Sequence, residues 1–243
     1  MLFLFDFDGT IADTNQLIIG SWQAVFRART GEEGDEKIIL STFGEPLYET
    51  MKKMFPEYDV EESVDIYRTY QKEIFLEQID IFPGMKELIL ELKSRGYKVG
   101  IATSRLKAST LLGLGKFELE DAIDALVTVE DTEKHKPDPE PALICLEKLG
   151  SDASTSIMLG DSAYDMGCGK NAGMTTVLVG WSEVAKSGVE STAKTASTNA
   201  TTPVGESASA NPNGADNDNA SVRDIFTPDY IIEEAKDLWK ILE

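Results

Sequence analysis

The chain has 243 residues, 42% of them hydrophobic, and a formal net charge of -20. That is enough apolar material for one large core or for a core with a smaller companion. So acidic a chain repels nucleic acid and anionic membrane surfaces, whose binding needs matching positive charge, so neither is an expected partner.

Cys145 and Cys168 stand too far apart in sequence for metal-ligand spacing, and with the lone His135 they cannot complete a zinc site. The expectation is two reduced, buried thiols in a cytosolic protein. The opening apolar run is cut by Asp6 and Asp8 and has no basic start, so it reads as neither a signal peptide nor a membrane span. No other apolar run approaches the ~20 residues of a spanning helix. A soluble, cytoplasmic protein is expected, as monomer or homodimer.

In chain order, Leu2–Phe5 is a short, continuously apolar run, as in a strand buried on both faces of a parallel sheet. Residues 14–81 read as helices only. One covers 17–28, a short one 47–54, and a third carries Val60, Val64, Tyr67 and Ile74 on a single face. This predicts a helical subdomain inserted after the first strand, with Phe82-Pro83-Gly84 marking the return to the core.

Helix and strand patterns then alternate. Amphipathic stretches at 85–95, 106–114, 139–149 and 164–172 interleave with apolar runs at 97–102, 125–129, 157–160 and 175–179. Gly96, Gly150 and Gly173 follow three of these helices as C-terminal caps do. Residues 182–222 are rich in Ser, Thr, Ala, Asn and Gly, and read as a disordered low-complexity loop. Asn199 and Asn219 fit the glycosylation pattern, which is without meaning in a cytosolic chain. A last strand at Pro228-Asp-Tyr-Ile-Ile and a closing helix to Leu242 follow. The predicted class is α/β: a doubly wound, Rossmann-like parallel sheet formed by 1–13 and 82–243, with an all-helical cap at 14–81.

Ligands of open α/β sheets sit at the carboxyl ends of the strands. Those ends carry Asp6, Asp8, Gly9 and Thr10, then Thr103 and Ser104, then Asp161, Ser162 and Asp165, with Lys136 after the third strand. Clustered carboxylates need a cation, and an all-oxygen set selects a hard one, Mg²⁺. Asp6 and Asp8, two apart, point to one side of the strand end. Gly9 allows the tight turn that faces backbone N–H groups toward phosphoryl oxygens. Lys136 and Thr103 can bind the remaining oxygens. In this reading Asp6 attacks phosphorus, and Asp8 protonates the leaving oxygen and then activates water. The helical insert closes over the site. Taken singly, Thr103-Ser104 would be a helix cap, Lys136 a surface lysine, and Asp165 a helix residue. Gly44-Glu45-Pro46-Leu47 reads equally as a substrate loop or a plain turn.

The four segments Asp6-Phe-Asp-Gly-Thr, Thr103-Ser104, Lys136-Pro-Asp-Pro and Gly160-Asp-Ser-x-x-x-Asp165 resemble, in order, the motifs of the haloacid dehalogenase superfamily. The resemblance covers the chain outside 182–222. It implies Asp6 as nucleophile and Asp8 as acid/base. It implies Mg²⁺ on the Asp6 carboxylate, the Asp8 backbone carbonyl and the Asp161 carboxylate, with Asp165 acting through water or as support. Gly9, Thr103, Ser104 and Lys136 would hold the phosphoryl group. The helical insert is similar to the cap of the phosphoglycolate phosphatase group. The segments 14–19, 96–101 and 135–141 are similar to inorganic pyrophosphatases of the same superfamily, and a low-complexity insert near residue 200 is not part of that pattern. A small phosphorylated substrate is therefore expected, with phosphoglycolate or pyrophosphate leading. A phosphomutase of the β-phosphoglucomutase type is the alternative, although residues 14–24 carry no His or Arg. A non-catalytic scaffold is disfavoured by the intact set of chemical groups.

Overall fold

The computed structural model describes residues 1–182 and 226–242. The expected low-complexity loop lies, apart from Ser182, outside the described residues. Six strands form one sheet: β1 (Leu2–Phe5), β4 (Lys98–Ala102), β5 (Ala125–Val127), β6 (Ile157–Gly160), β7 (Thr175–Val179) and β8 (Tyr230–Ile232). Their order is β5-β4-β1-β6-β7-β8, and every neighbouring pair is parallel. The chain runs outward from β1 in one direction first and the other afterwards. The switch falls beside β1, where such sheets open a crevice.

Two-residue alternation sorts β1 between two cores. Phe3 and Phe5 face one side, packed with Leu88, Ile89 and Leu92 of α5 (Met85–Ser94) and Leu114 of α6 (Lys107–Phe117). Leu238 of α9 (Leu238–Ile241) joins that core. Leu2 and Leu4 face the other side, with Cys145 and Leu146 of α7 (Glu140–Leu149) and Cys168 of α8 (Ala163–Asn171). All four β1 side chains are fully buried, so an unbroken apolar run serves two layers at once. Both cysteines are free, and burial pushes their thiols up to about 12.

Between β1 and α5 the chain makes α1 (Asn15–Thr30), α2 (Glu36–Leu40), α3 (Leu47–Met54) and α4 (Val60–Gln78). These helices enclose their own cluster of Trp22, Val25, Ile39, Met51, Phe55, Val64 and Tyr67. Asp59 caps α4 by accepting the Glu62 N–H at 2.9 Å. The helices-only expectation for 14–81 needs one correction. Asp80–Ile81 form strand β3, antiparallel to β2 (Ala12–Asp13). The pair is two residues long on each side, too short for periodicity to signal. The short α2 was not expected either. Strand β5 stops at Val127, short of the expected 129, because Thr128 opens a capped 3₁₀ turn over Val129–Asp131.

Among the described residues no helix is long and apolar enough to cross a membrane.

Candidate active site

The carboxyl ends of β1, β4 and β6 are neighbours in the sheet, which brings together side chains more than a hundred residues apart. Asp6 leaves β1 with its N–H donating to the Leu159 carbonyl of β6 at 2.9 Å. Asp161 leaves β6, and Asp165 lies in the first turn of α8. One oxygen from each of Asp6, Asp161 and Asp165 lies within 4.8 Å of the others, and all three residues are buried. The Lys136 ammonium donates to Asp6 Oδ1 at 2.8 Å and Asp165 Oδ1 at 2.6 Å. The second Asp165 oxygen accepts the Ser162 hydroxyl at 2.6 Å and the Ser162 N–H at 3.1 Å, a reciprocal cap that fixes the start of α8.

Burial dominates the electrostatics. It pushes the Asp6 carboxyl up to about 7, against the pull of the Lys136 charge, with Asp165 and Asp8 pushing the same way as burial. Asp161 is raised well above the usual carboxylate range by burial and then by Asp165 and Asp6. One ammonium does not offset three carboxylates in a water-poor pocket. The cluster therefore favours protons or a cation.

Gly9 is where the sequence makes this packing possible. Its φ of +73° is in the left-handed region, and a Cβ there would lie 1.9 Å from Asp161 Oδ2. Only a residue with no side chain lets the turn after Asp8 pass this close to the carboxylate.

Asp8 points elsewhere. Its carboxylate receives Arg105 Nε at 3.0 Å and a terminal Arg105 nitrogen at 2.8 Å. The other terminal nitrogen donates to Gln71 Oε1 of α4 at 3.2 Å, and the guanidinium lies 4.9 Å from the Phe75 ring centroid. Burial pulls the Arg105 pKa down, but the Asp8 charge and hydrogen bonds, with smaller help from Tyr67 and Asp6, together hold it above its usual value. Arg105 and Gln71 were missed by the sequence reading. Arg105 directly follows Thr103-Ser104 at the end of β4, so reading the strand end one residue further would have found it. Gln71 carries no signal of its own.

Thr103 is buried, with its hydroxyl accepting the Arg105 N–H at 3.2 Å, whereas Ser104 is exposed. His135 has Nδ1 3.2 Å from the Thr132 hydroxyl. A cavity of about 410 Å³ opens over these groups. Asp6, Asp8, Gly9, Thr103, Ser104, Lys136, Asp161 and Asp165 all line it, so the structure brings every expected site residue to one cavity. Its other wall comes from the helical segment, including Trp22, Phe43, Tyr48, Tyr67 and Arg68. The 44–47 loop belongs to that wall: a Cβ on Gly44 would lie 3.0 Å from Ser162 Cβ and 3.1 Å from Tyr164.

Comparison with known proteins agrees with this architecture. The sequence profile of the haloacid dehalogenase-like hydrolases matches residues 3–179. A protein called pyrophosphatase PpaX from Bacillus velezensis is 37% identical over 73% of this chain and 82% of its own length. One of the same name from Halalkalibacterium halodurans is 34% identical over 73% and 82%. A haloacid dehalogenase-like hydrolase from Streptococcus pneumoniae superposes with a TM-score of 0.75 at 20% identity, covering 100% of this chain and 98% of that one, a likeness of fold. From the profile match and these relatives together, the chain belongs to the haloacid dehalogenase-like hydrolase family and is a hydrolase.

Proposed function

We propose that this hydrolase is a Mg²⁺-dependent phosphatase that cleaves a small phosphorylated metabolite through an aspartyl-phosphate on Asp6. The observation that carries the reading is the buried convergence of Asp6, Asp161, Asp165 and Lys136 on the floor of a cavity that also holds Asp8. The donor set fits Mg²⁺: it is all oxygen, compact, and short of positive charge. Asp6 and Asp161 would hold the ion with the Asp8 backbone carbonyl, and Asp165 would support them. When bound, Mg²⁺ supplies the charge that lets a phosphate dianion approach carboxylates.

The protein's own groups do the rest. An Asp6 oxygen attacks phosphorus, and the bond from phosphorus to the leaving oxygen breaks. Asp8 gives that oxygen a proton, then takes one from the water that splits the aspartyl-phosphate and frees Asp6. Lys136 and Thr103 hold the phosphoryl oxygens, joined by Ser104 and the Gly9 backbone. In this reading residues 14–81 form a cap over a core built from 1–13 and 82–243, and the cap excludes bulk water.

Pyrophosphate and phosphoglycolate are the leading substrates. Relatives called pyrophosphatase at 34% and 37% identity support the first. The two free buried thiols fit a reducing compartment, and we place the enzyme in the cytoplasm.

The test is phosphate release with Mg²⁺ over pyrophosphate, phosphoglycolate, sugar phosphates and nucleotides, with Asp6→Asn alongside. Release from one substrate, lost in Asp6→Asn, is expected. Transfer of the phosphoryl group to a second sugar hydroxyl, stimulated by a bisphosphorylated sugar, would instead establish a mutase.

A further inference from the structure

The cap side of the cavity has one cationic lining residue among the described residues, Arg68. The two carboxylates on that side are already engaged. Glu45 accepts the Thr50 hydroxyl at 3.0 Å and meets Lys53 at 3.3 Å, and Glu49 meets Lys52 at 3.3 Å. Arg68 forms no ion pair or hydrogen bond among the described residues, and its contact is the Tyr48 ring, 5.5 Å from the guanidinium carbon. In a chain with 43 acidic residues for 23 basic ones, a half-buried arginine that lines the cavity and pairs with no carboxylate among the described residues is an anomaly of placement. Arg68 also precedes Gln71 by three positions on α4, which puts both on one helix face about one turn apart. Gln71 accepts from the Arg105 that holds Asp8, so this face looks onto the reacting end of the cavity.

We propose that Arg68 is the core of a second anion subsite, which binds an oxyanion at the far end of a substrate whose phosphoryl group sits on Asp6. The planar guanidinium presents paired N–H donors that match either a carboxylate or a phosphoryl group. The Tyr48 ring lies against the guanidinium and limits its freedom. The substrate class is thus a small compound with two oxyanionic ends, one of them phosphoryl. The inference rests on the phosphatase reading for the placing of the first end, and its own content is the recognition of the second.

Binding tests it without turnover. In an Asp6→Asn background with Mg²⁺, calorimetry would compare pyrophosphate, phosphoglycolate and phenyl phosphate, with and without Arg68→Met. The expected result is a preference for the two-oxyanion ligands over phenyl phosphate that falls at least about tenfold in Arg68→Met. Arg68→Lys, which keeps the charge and loses the fork, should lose part of that preference, and it stands in if Arg68→Met does not fold. Loss for pyrophosphate alone identifies a phosphoryl second end, and loss for phosphoglycolate alone a carboxylate. An unchanged preference, or equal weakening of all three ligands, overturns the subsite. If Asp6-intact protein releases no phosphate while the Arg68-dependent preference holds, the phosphatase reading falls and the subsite stands.

Discussion

Arg105 grips the Asp8 carboxylate from two nitrogens, at 3.0 and 2.8 Å, and ties it through a third to Gln71 on α4. The proposed acid/base is therefore oriented by a residue just past β4's end and by α4 together. Arg105→Lys keeps a charge but loses the planar fork. We expect kcat to fall about tenfold or more with KM changed far less, because a misplaced proton donor acts on the transition state. Steady-state kinetics check this, and a KM effect equal to the kcat effect would count against it. Gln71→Ala should move kcat in the same direction by a smaller factor.

Asp6→Asn should remove at least about three orders of magnitude of phosphate release, since the variant lacks the carboxylate proposed to attack phosphorus. A full-length protein mass raised by one phosphoryl group after brief exposure of the wild type to substrate, and unchanged in the variant, would report the intermediate directly.

The same residue sets a pH dependence of folding without metal. Asp6 titrates near 7 in the folded protein and at the ordinary 3.8 once exposed. The folded state holds a proton that the unfolded chain gives up between those values, so this group weakens folding as pH rises through about 4 to 7. Asp6→Asn has no such proton. In chelator, the melting temperature of Asp6→Asn minus that of wild type should grow from pH 4 to 7 and level off above. A difference that stays constant with pH would refute the assignment.

Mg²⁺ should raise the melting temperature in proportion to the logarithm of its concentration, by about 2.7 kcal/mol of stabilisation at a hundred times the dissociation constant. Asp161→Asn should lose most of that rise. Differential scanning calorimetry with and without chelator decides it.

Gly9→Ala places a methyl group 1.9 Å from Asp161 Oδ2 in a backbone conformation that alanine disfavours. The expected cost is about 1–3 kcal/mol of stability, together with loss of the Mg²⁺-induced rise in melting temperature. A variant that melts like the wild type would remove Gly9 from this account.

Much of the sheet could be read from the chain because its strands are buried on both faces, and Leu2–Phe5 leaves no other use for four consecutive apolar residues. The aspartates could be read because they stand at strand ends. Arg105 could not be read with the same ease. Its meaning lies in Asp8, 97 positions away, and in Gln71, 34 positions away, contacts that no local spacing encodes. The β2–β3 ribbon was invisible for a different reason: two residues are too few to carry a period.

That ribbon has a consequence for how the molecule can change. The helical segment departs at Asp13 and comes back at Asp80, and these two residues are paired across the ribbon, with Cα atoms about 5 Å apart. None of Asp6, Asp8, Thr103, Lys136, Asp161 or Asp165 lies between them. The segment is thus a cassette with a narrow, self-closed stem. A different set of helices could be grafted onto the same two residues, changing which molecules reach Asp6 while leaving its surroundings in the sheet as they are.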